Sequence, residues 1–420
     1  MNVEIINTGS ELMLGRVLNT HQQWLCRRLA DLGHDVRRQV AVADTGHDIQ
    51  QAVREALSRA DLIITTGGLG PTSDDITRDL IAQLLGKTLH EDAASLAKIK
   101  EFFEIRKRPM PERTAIQALV PDGAIVLANA HGTAPGVAME VKPNPFRTDG
   151  KTTWLVMLPG PPRELRPMFN DTVVSLLGRV MPVVDEFICR TLRTTGIGES
   201  IVQQRIAEKL RPLVEAGLDV GYCARVGQVD VRLAARGAEA ARIVAEAEEL
   251  VRARLTSRIY GEEDTELESI IVQLLTERKQ TLALAESCTG GGIAHRITNV
   301  PGASAVLLAG LVTYSNAAKE KFLGVRAETL AAHGAVSEPV AREMAEGTRK
   351  KTGADYALSV TGIAGPSGGS ETKPVGTVFI GMASATETAV EKNFNPYDRE
   401  TFKQATGNQA LDLLRRKILL

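Results

Sequence analysis

Ser287, Cys288 and Thr289 stand in a row, and Gly290, Gly291 and Gly292 follow them at once. The run before them, Thr281 to Ala285, is apolar and β-tolerant, of the kind that fills a strand buried on both faces, and Ile293 to Ile297 after them suit a helix. A strand that feeds a glycine-rich turn and then a helix leaves backbone N–H groups unpaired and pointing at whatever sits there. The turn has no Lys directly after its glycines and lacks G-x-G-x-x-G spacing, so it is not a common phosphate loop. A hydroxyl or thiol beside such N–H groups suits acyl transfer, in which the side chain attacks and the N–H groups hold the charge that develops. The base has to come from elsewhere. The apolar run Ala305 to Val312 leads into Thr313-Tyr314-Ser315-Asn316 and then Lys319, a second strand end able to lie beside the first. Burial or a cationic neighbour would bring that amine down from its ordinary pKa of about 10.4 and make it a base. The competing reading is a glycine helix cap and a surface lysine.

Glycines and acids mark a second place. Leu62 to Thr66 reads as a buried strand, followed by Gly67-Gly68-Leu69-Gly70-Pro71-Thr72-Ser73-Asp74-Asp75 and a helix from about Ile76. Glycines let a backbone approach a phosphate, and a helix start supplies N–H donors. Asp74 and Asp75 read in two ways. They are first-turn acids complementing the helix dipole, worth about 0.3 to 1 kcal/mol each, or they hold a divalent metal that bridges to substrate phosphates. Two further segments end strands in the same region, Thr8-Gly9-Ser10-Glu11 and Pro159-Gly160-Pro161-Pro162-Arg163-Glu164, although those prolines also suit a stiffened turn. The acids nominated are Glu11, Asp74, Asp75 and Glu164, with Gly9, Gly67, Gly68, Gly70 and Gly160 as backbone approaches and Thr72 and Arg78 as phosphate-side partners.

The elements that must position these residues follow from periodicity. Val3 to Asn7 is a strand, Asn19 caps a helix to Leu32 with Gly33 beyond it, Val36 to Val42 alternates, and Ile49 to Ala60 has helical spacing. Strand and helix in alternation predict a mainly parallel sheet covered by helices on both faces, with its site beyond the strands' carboxyl ends. The expected domains are residues 1–170, 171–260 and 261–420. The middle one reads as a small α+β module: strand Phe187 to Thr194, helix Glu199 to Leu210, a hairpin of Asp219 to Cys223 with Val229 to Ala235, and helix Ala238 to Leu255. Its Gly196-Ile197-Gly198 has the outline of an RNA-clamping loop. A two-glycine turn capping a helix is the commoner reading, and no basic stripe or base-stacking aromatics accompany it.

In the last domain, helix Leu267 to Glu277 precedes the Ser287 strand, helix Glu338 to Lys351 follows Lys319, and strand Tyr356 to Val360 delivers Thr361-Gly362-Ile363-Ala364-Gly365-Pro366. A second strand-to-glycine turn would face the first across one pocket. Val375 to Met382 is a further strand, and Glu400 to Leu419 an amphipathic helix with Arg399 at its start, either a phosphate fork or a surface charge. No histidine forms an H-x-x-x-H or H-E-x-x-H pair, and none is assigned a role.

Composition excludes several classes. Across 420 residues, 50 basic side chains against 51 acidic ones leave a net charge of −1, so no global field draws nucleic acid or anionic membrane. The 4 cysteines, Cys26, Cys189, Cys223 and Cys288, form no C-x-x-C pair, which argues against a zinc site or disulfide framework and suits a reducing cytoplasm. No signal-like start and no apolar run near about 18 residues is present, so a cytoplasmic chain away from the membrane is expected.

Five ordered blocks together resemble the CinA family: AESCTGG at 285–291, TYSNAAK at 313–319, HGAVSEPV at 333–340, TGIAGPSGG at 361–369 and KPVGTVFIG at 373–381. The N-terminal half is also similar to that family's molybdopterin-binding-like domain. The resemblance implies an α/β protein: an N-terminal three-layer α/β/α domain, a small α+β middle domain and a C-terminal α/β deamidase domain. It implies that the last hydrolyses nicotinamide mononucleotide, without a cofactor, with Ser287 as nucleophile and Lys319 as base. Tyr314 then relays or orients protons, and Cys288, Thr289, Gly290, Gly291, Thr361, Gly362 and Arg399 line the substrate site. The family's S-G-I-A-G-P reads T-G-I-A-G-P here, which keeps a hydroxyl at Thr361. For the N-terminal domain the resemblance implies a metal-dependent ADP-ribose pyrophosphatase in some members, with a divalent ion of unspecified identity. The open alternatives are a domain that only holds a pterin or nucleotide or transfers an adenylyl group, and a non-enzymatic partner in DNA uptake or recombination. Small nucleotides are the expected partners, with no nucleic acid and no membrane, and a symmetric homodimer is expected.

Overall fold

The computed structural model describes residues 2–183 and 186–419. The chain forms two compact units that divide after Phe187.

In the first unit, continuous apolar runs become central strands. Val3–Thr8 and Leu62–Thr66 are buried along their whole length, as a parallel sheet covered on both faces requires. Six strands run in the order Val36–Val42, Val3–Thr8, Leu62–Thr66, Thr153–Leu158, Gly136–Val141 and Ile125–Leu127. The first four are mutually parallel, and the last two are antiparallel additions on one edge. Alternate residues face opposite layers. Ile5, Ile64 and Val156 pack with Leu25 and Leu29 of helix Thr20–Asp31 and with Leu165 and Leu176. Ile6, Ile63 and Leu155 pack with Val53 of helix Gly46–Leu57 and Ile81 of helix Thr77–Leu84. Asn19 caps its helix as expected, its side chain accepting from Gln22 N–H. Helix Val174–Val180 buries Leu176 and Leu177 in the same core, so the expected domain edge at residue 170 falls inside this unit.

The second unit holds two sheets. Phe187–Thr195, Asp219–Arg225, Gln228–Arg236 and Ile259–Glu262 form one, and helices Glu199–Glu215 and Ala240–Leu255 share its core. The other runs Leu307–Val312, Leu282–Glu286, Tyr356–Gly362, Thr377–Ala383 and Thr388–Phe394, with the first three parallel and the last two antiparallel. The strand Thr388–Phe394 is not anticipated by the sequence reading: its half-exposed edge position leaves TAVEKNF without an apolar run.

Helix Arg399–Leu419 departs from the expected amphipathic pattern, because it is buried on most sides, polar residues included. Asn408 donates to the Val226 carbonyl at 2.7 Å and accepts from Arg296 at 2.8 Å. Arg415, also buried, donates to Ser257 O and to Asp412 at 2.8 Å. These bonds join the middle module to the last sheet within one unit. Among the described residues no helix is long and apolar enough to cross a membrane.

Asp412 is 4% exposed and accepts from both Arg415 and Arg416. Removing it strands a buried guanidinium, so Asp412→Ala should lower unfolding free energy by about 3 to 5 kcal/mol. Urea denaturation checks this. A loss below about 1 kcal/mol would mean Arg415 finds other partners or water.

Candidate functional site

In the C-terminal sheet, strand Leu282–Glu286 ends directly before Ser287, and its neighbour Leu307–Val312 runs parallel, with Glu286 opposite Val312. Ser287 and Thr313 therefore leave the sheet side by side. Lys319 follows, at the start of a π-helical turn over Lys319–Leu323, a local widening that recurs at functional sites.

Lys319 is 1% exposed, and its amine lies 3.2 Å from Ser287 Oγ, 3.0 Å from the Thr313 carbonyl and 3.3 Å from the Tyr314 carbonyl. Burial lowers its pKa from the ordinary lysine value, and no carboxylate opposes that effect. A neutral amine has two N–H donors and one lone pair. As placed, the amine donates to Ser287 Oγ and to both carbonyls; in its neutral form the carbonyls would take the two N–H donors and leave the lone pair to the Ser287 hydroxyl. The surface-lysine alternative does not survive this burial.

The glycine turn works differently from the expectation of free helix-start donors. The Glu286 carboxylate turns back under the turn and accepts from Gly291 N–H at 3.0 Å, Ile293 N–H at 3.1 Å and Ala294 N–H at 2.8 Å. Gly291 sits at φ 92°, a left-handed conformation that glycine adopts without strain. Ser287 N–H donates to Val360 O, Gly290 N–H to Ser287 O and Gly292 N–H to Thr289 O. Among the described residues no carbonyl or carboxylate accepts from the N–H of Cys288 or Thr289. Both N–H groups bear on the Cys288 thiol, and of the two residues only Cys288 lines the cavity over Ser287. The Cys288 thiol packs in the core, where burial pushes it up to about 12. A thiol held protonated is no rival nucleophile.

A cavity of about 210 Å³ opens over this centre, lined by Ser287, Cys288, Tyr314, Lys319, Thr361, Gly362 and Arg399 together with Asn316, Ala335, Val336 and Ala364. The two strand-to-glycine turns do share one pocket. Thr289, Gly290 and Gly291 lie outside its lining, because the turn bends away to be capped by Glu286. Tyr314 is 60% exposed; its carbonyl touches Lys319, while its phenol accepts from Arg399 at 2.7 Å. Arg399 also donates to Gly365 O at 2.9 Å, tying the second glycine turn to Tyr314 at the pocket mouth. The Thr361 hydroxyl donates to Ala335 O at 2.8 Å.

The N-terminal sheet repeats the arrangement. Asn7 pairs with Thr66 and Thr66 with Leu158, so the segments after these strands emerge on one edge. They enclose a cavity of about 380 Å³ lined by Thr8, Gly9, Glu11, Gly67, Gly68, Gly70, Asp74, Asp75, Gly160 and Glu164, with Asp44, Gln117 and Thr133 unanticipated. Gly68, at φ 67°, is required there: a Cβ would sit 2.0 Å from Thr77 Oγ1. Asp74 and Asp75 precede helix Thr77–Leu84, whose first-turn acid is Asp79, so the dipole reading does not apply to them. Asp75 closes the loop, accepting from Thr72 N–H at 2.9 Å and from its hydroxyl. Asp74 is exposed, and the nearby Thr72 hydroxyl and its own backbone N–H hold its carboxyl below the usual range.

Two nominated residues are placed otherwise. Arg78 is buried and donates to Ile116 O at 2.7 Å and to Asp79 at 2.8 Å, which turns it into the fold and away from the cavity. Thr72 spends its hydroxyl on Asp75 and is also outside the lining. Among the described residues no three His, Cys, Asp or Glu side chains are gathered closely enough to hold a metal ion by themselves. Glu164 is occupied in part, accepting from Asn129 at 2.9 Å. The carboxylates present fit a hard cation held by one or two of them and by substrate phosphates, as magnesium often is, and not a closed protein cage.

The lowered Lys319 pKa has a consequence for stability. Between the folded-state value and the unfolded value of about 10.4 the unfolded chain binds more protons, so stability rises with pH there. Wild type measured against Lys319→Met should therefore gain in melting temperature from neutral pH towards pH 10. A difference that stays flat would contradict a lowered pKa.

Comparison with known proteins matches residues 4–179 to a family described as "Probable molybdopterin binding domain", residues 189–261 to "Damage-inducible protein CinA KH domain" and residues 264–418 to "CinA C-terminal domain". A CinA-like protein of Akkermansia muciniphila is 44% identical over 414 residues, 98% of this chain and 96% of its own. A CinA-like protein of Kosmotoga olearia is 42% identical over 422 residues, 100% of this chain and 99% of its own. Among solved structures, the competence/damage inducible protein CihA from Agrobacterium tumefaciens is 40% identical, covers 36% of this chain and 92% of its own, and has a TM-score of 0.35. With a molybdopterin-binding-like first domain, a CinA-type C-terminal domain and relatives alike from end to end, the chain belongs to the CinA family.

Proposed function

We propose that the C-terminal centre hydrolyses the carboxamide of nicotinamide mononucleotide to give nicotinate mononucleotide and ammonia. The observation that carries this reading is the buried Lys319 amine, hydrogen-bonded to two carbonyls and 3.2 Å from Ser287 Oγ. Ser287 adds to the carboxamide carbon and its proton passes to Lys319. The oxyanion rests on the N–H of Cys288, the residue after Ser287 that lines the cavity with it, a donor of a kind worth about 3 to 4 kcal/mol in a protease of similar logic. The tetrahedral species collapses as Lys319 returns a proton to the leaving ammonia. Water then attacks the ester, Lys319 takes its proton, and Ser287 is restored as acid leaves. A cavity of about 210 Å³ suits the reacting ring, with the ribose phosphate at the mouth beside Arg399. Arg399 uses part of its fork on Gly365 and Tyr314 and keeps donors for a phosphate.

For the N-terminal centre the reading is cleavage of ADP-ribose to AMP and ribose 5-phosphate. Glu11, Asp74, Asp75 and Glu164 facing one glycine-lined cavity support it. A divalent ion bound with the substrate would polarise the diphosphate. The chain's own part is to hold the phosphates against the Gly67–Gly70 backbone and to orient water and the ion through these acids. The second reading, a domain that holds a pterin or nucleotide without cleaving it, is favoured by the absence, among the described residues, of a preassembled acid cluster. Release of AMP from ADP-ribose by purified protein decides between them.

An ammonia assay on nicotinamide mononucleotide tests the first centre. Ser287→Ala and Lys319→Met should each lower the rate by several orders of magnitude, and the double variant should be scarcely worse than either, because the pair acts as a unit. Cys288→Ala should keep most of the activity. A dead Cys288→Ala beside an active Ser287→Ala would replace the serine mechanism with a thiol one.

Asp74→Ala or Asp75→Ala should abolish ADP-ribose cleavage and leave ammonia release intact, and a chelator should do the same. Unchanged cleavage in chelator would remove the metal from the account.

A further inference from the structure

The middle module meets the C-terminal domain through its turns. At the tip of the hairpin of Asp219–Arg225 and Gln228–Arg236, the Val226 carbonyl accepts from Asn408 at 2.7 Å and the Gly227 carbonyl accepts from Gly196 N–H at 3.2 Å. Gly196 is closed in as well. Arg258 donates to its carbonyl at 3.0 Å, and a Cβ there would lie 2.8 Å from that guanidinium and 3.8 Å from the Asp412 carboxylate.

Asn408 carries the link further. It is buried, and its amide sits one way only, with nitrogen against the Val226 carbonyl and oxygen accepting from Arg296 at 2.8 Å, because a flip would set oxygen on oxygen and donor on donor. Arg296 stands in the last turn of helix Gly292–Thr298 and also donates at 2.7 Å to Glu268, at the start of helix Leu267–Arg278. Gly407 leaves room for this approach, since a Cβ there would lie 3.1 Å from the Arg296 guanidinium. Helix Gly292–Thr298 follows the Ser287 turn directly and has only 7 residues, about two turns. Glu286 clamps its first N–H groups, and Arg296 clamps its far end. A helix so short has no interior in which a shift at one end is absorbed before it reaches the other.

We infer that the middle module braces the C-terminal centre: its hairpin tip, through Asn408 and Arg296, fixes the far end of helix Gly292–Thr298 and with it the angle at which the turn presents Ser287 to Lys319. The inference rests on the deamidase reading for the reaction that reports on it. Asn408 is not among the residues lining the cavity over Ser287, which makes it a positioning residue. Its loss therefore falls on the acyl-transfer step, where a displaced nucleophile is costly, and not on the ring and phosphate contacts that bind the nucleotide.

Two substitutions in the full chain test the brace. Asn408→Leu keeps the side-chain bulk and removes both bonds. Gly227→Val acts from the module side, because a β-branched residue is strained at the φ of 68° found there and the tip has to move. Gly227 is exposed, which keeps that substitution out of the core. Each should lower kcat for ammonia release by about tenfold, while calorimetric affinity for nicotinate mononucleotide stays within about twofold of wild type. The double variant should be no worse than Asn408→Leu alone, since both cut one link, whereas independent losses of stability would add. Hydrogen exchange should quicken over residues 287–298 in both variants. Wild type that releases no ammonia would sink the deamidase reading, and faster exchange confined to that segment would still uphold the brace. With an active wild type, unchanged kcat in either variant, a fall in affinity in place of kcat, or losses that multiply in the double variant would overturn it, as would unchanged exchange.

Discussion

A buried carboxylate that takes three backbone N–H groups sets the geometry of the C-terminal centre. Glu286 is the last residue of its strand, yet its side chain turns back to close the glycine turn and cap helix Gly292–Thr298. This consumes the positive end of the helix, which would otherwise attract an anion to the reacting centre. The turn is thereby fixed, Cys288 is left beside Ser287 in the cavity lining, and the hydroxyl of Ser287 is presented to a single amine. An anion has to be met elsewhere, and Arg399 stands at the mouth.

Both units solve positioning in the same way. Parallel strands deliver loops to a common edge, and the residues that leave adjacent strands are neighbours however far apart they stand in the chain. Ser287 meets Lys319 because Glu286 pairs with Val312, and Gly9, Gly67 and Gly160 converge because Asn7, Thr66 and Leu158 stand in register. What differs is the degree of preassembly. The C-terminal pair is buried and bonded without ligand. The N-terminal acids line their cavity without closing on one another, as befits a centre completed by what it binds.

Much of this was legible in the sequence where one local rule dominates. Leu62–Thr66, Val36–Val42 and the hairpin across Val226 to Gln228 follow from apolar runs, alternation and a turn glycine, and Asn19 and Gly33 mark their helix ends as short-range capping predicts. Five motif blocks pointed to Ser287 and Lys319 before any contact was known. The misses have long-range causes. Glu286 draws no role from the sequence, because its part depends on a side chain folding back over its own turn. Arg78 reads as a phosphate partner beside a glycine loop, but Ile116, 38 positions away, claims its guanidinium. Helix Arg399–Leu419 reads as amphipathic because its polar residues find partners at Val226 and Ser257, in a module that local periodicity does not connect to it.

The central claim is that Ser287, activated by a neutral Lys319, forms an ester with the acyl part of the nucleotide. Acid quenching of the protein during turnover of nicotinamide mononucleotide, followed by peptide mapping in a mass spectrometer, tests it directly. The account predicts an adduct of nicotinate mononucleotide less water on the peptide holding Ser287, still present in Cys288→Ala and absent in Ser287→Ala. An adduct on Cys288, or turnover with no adduct in wild type and full activity in Ser287→Ala, would contradict it.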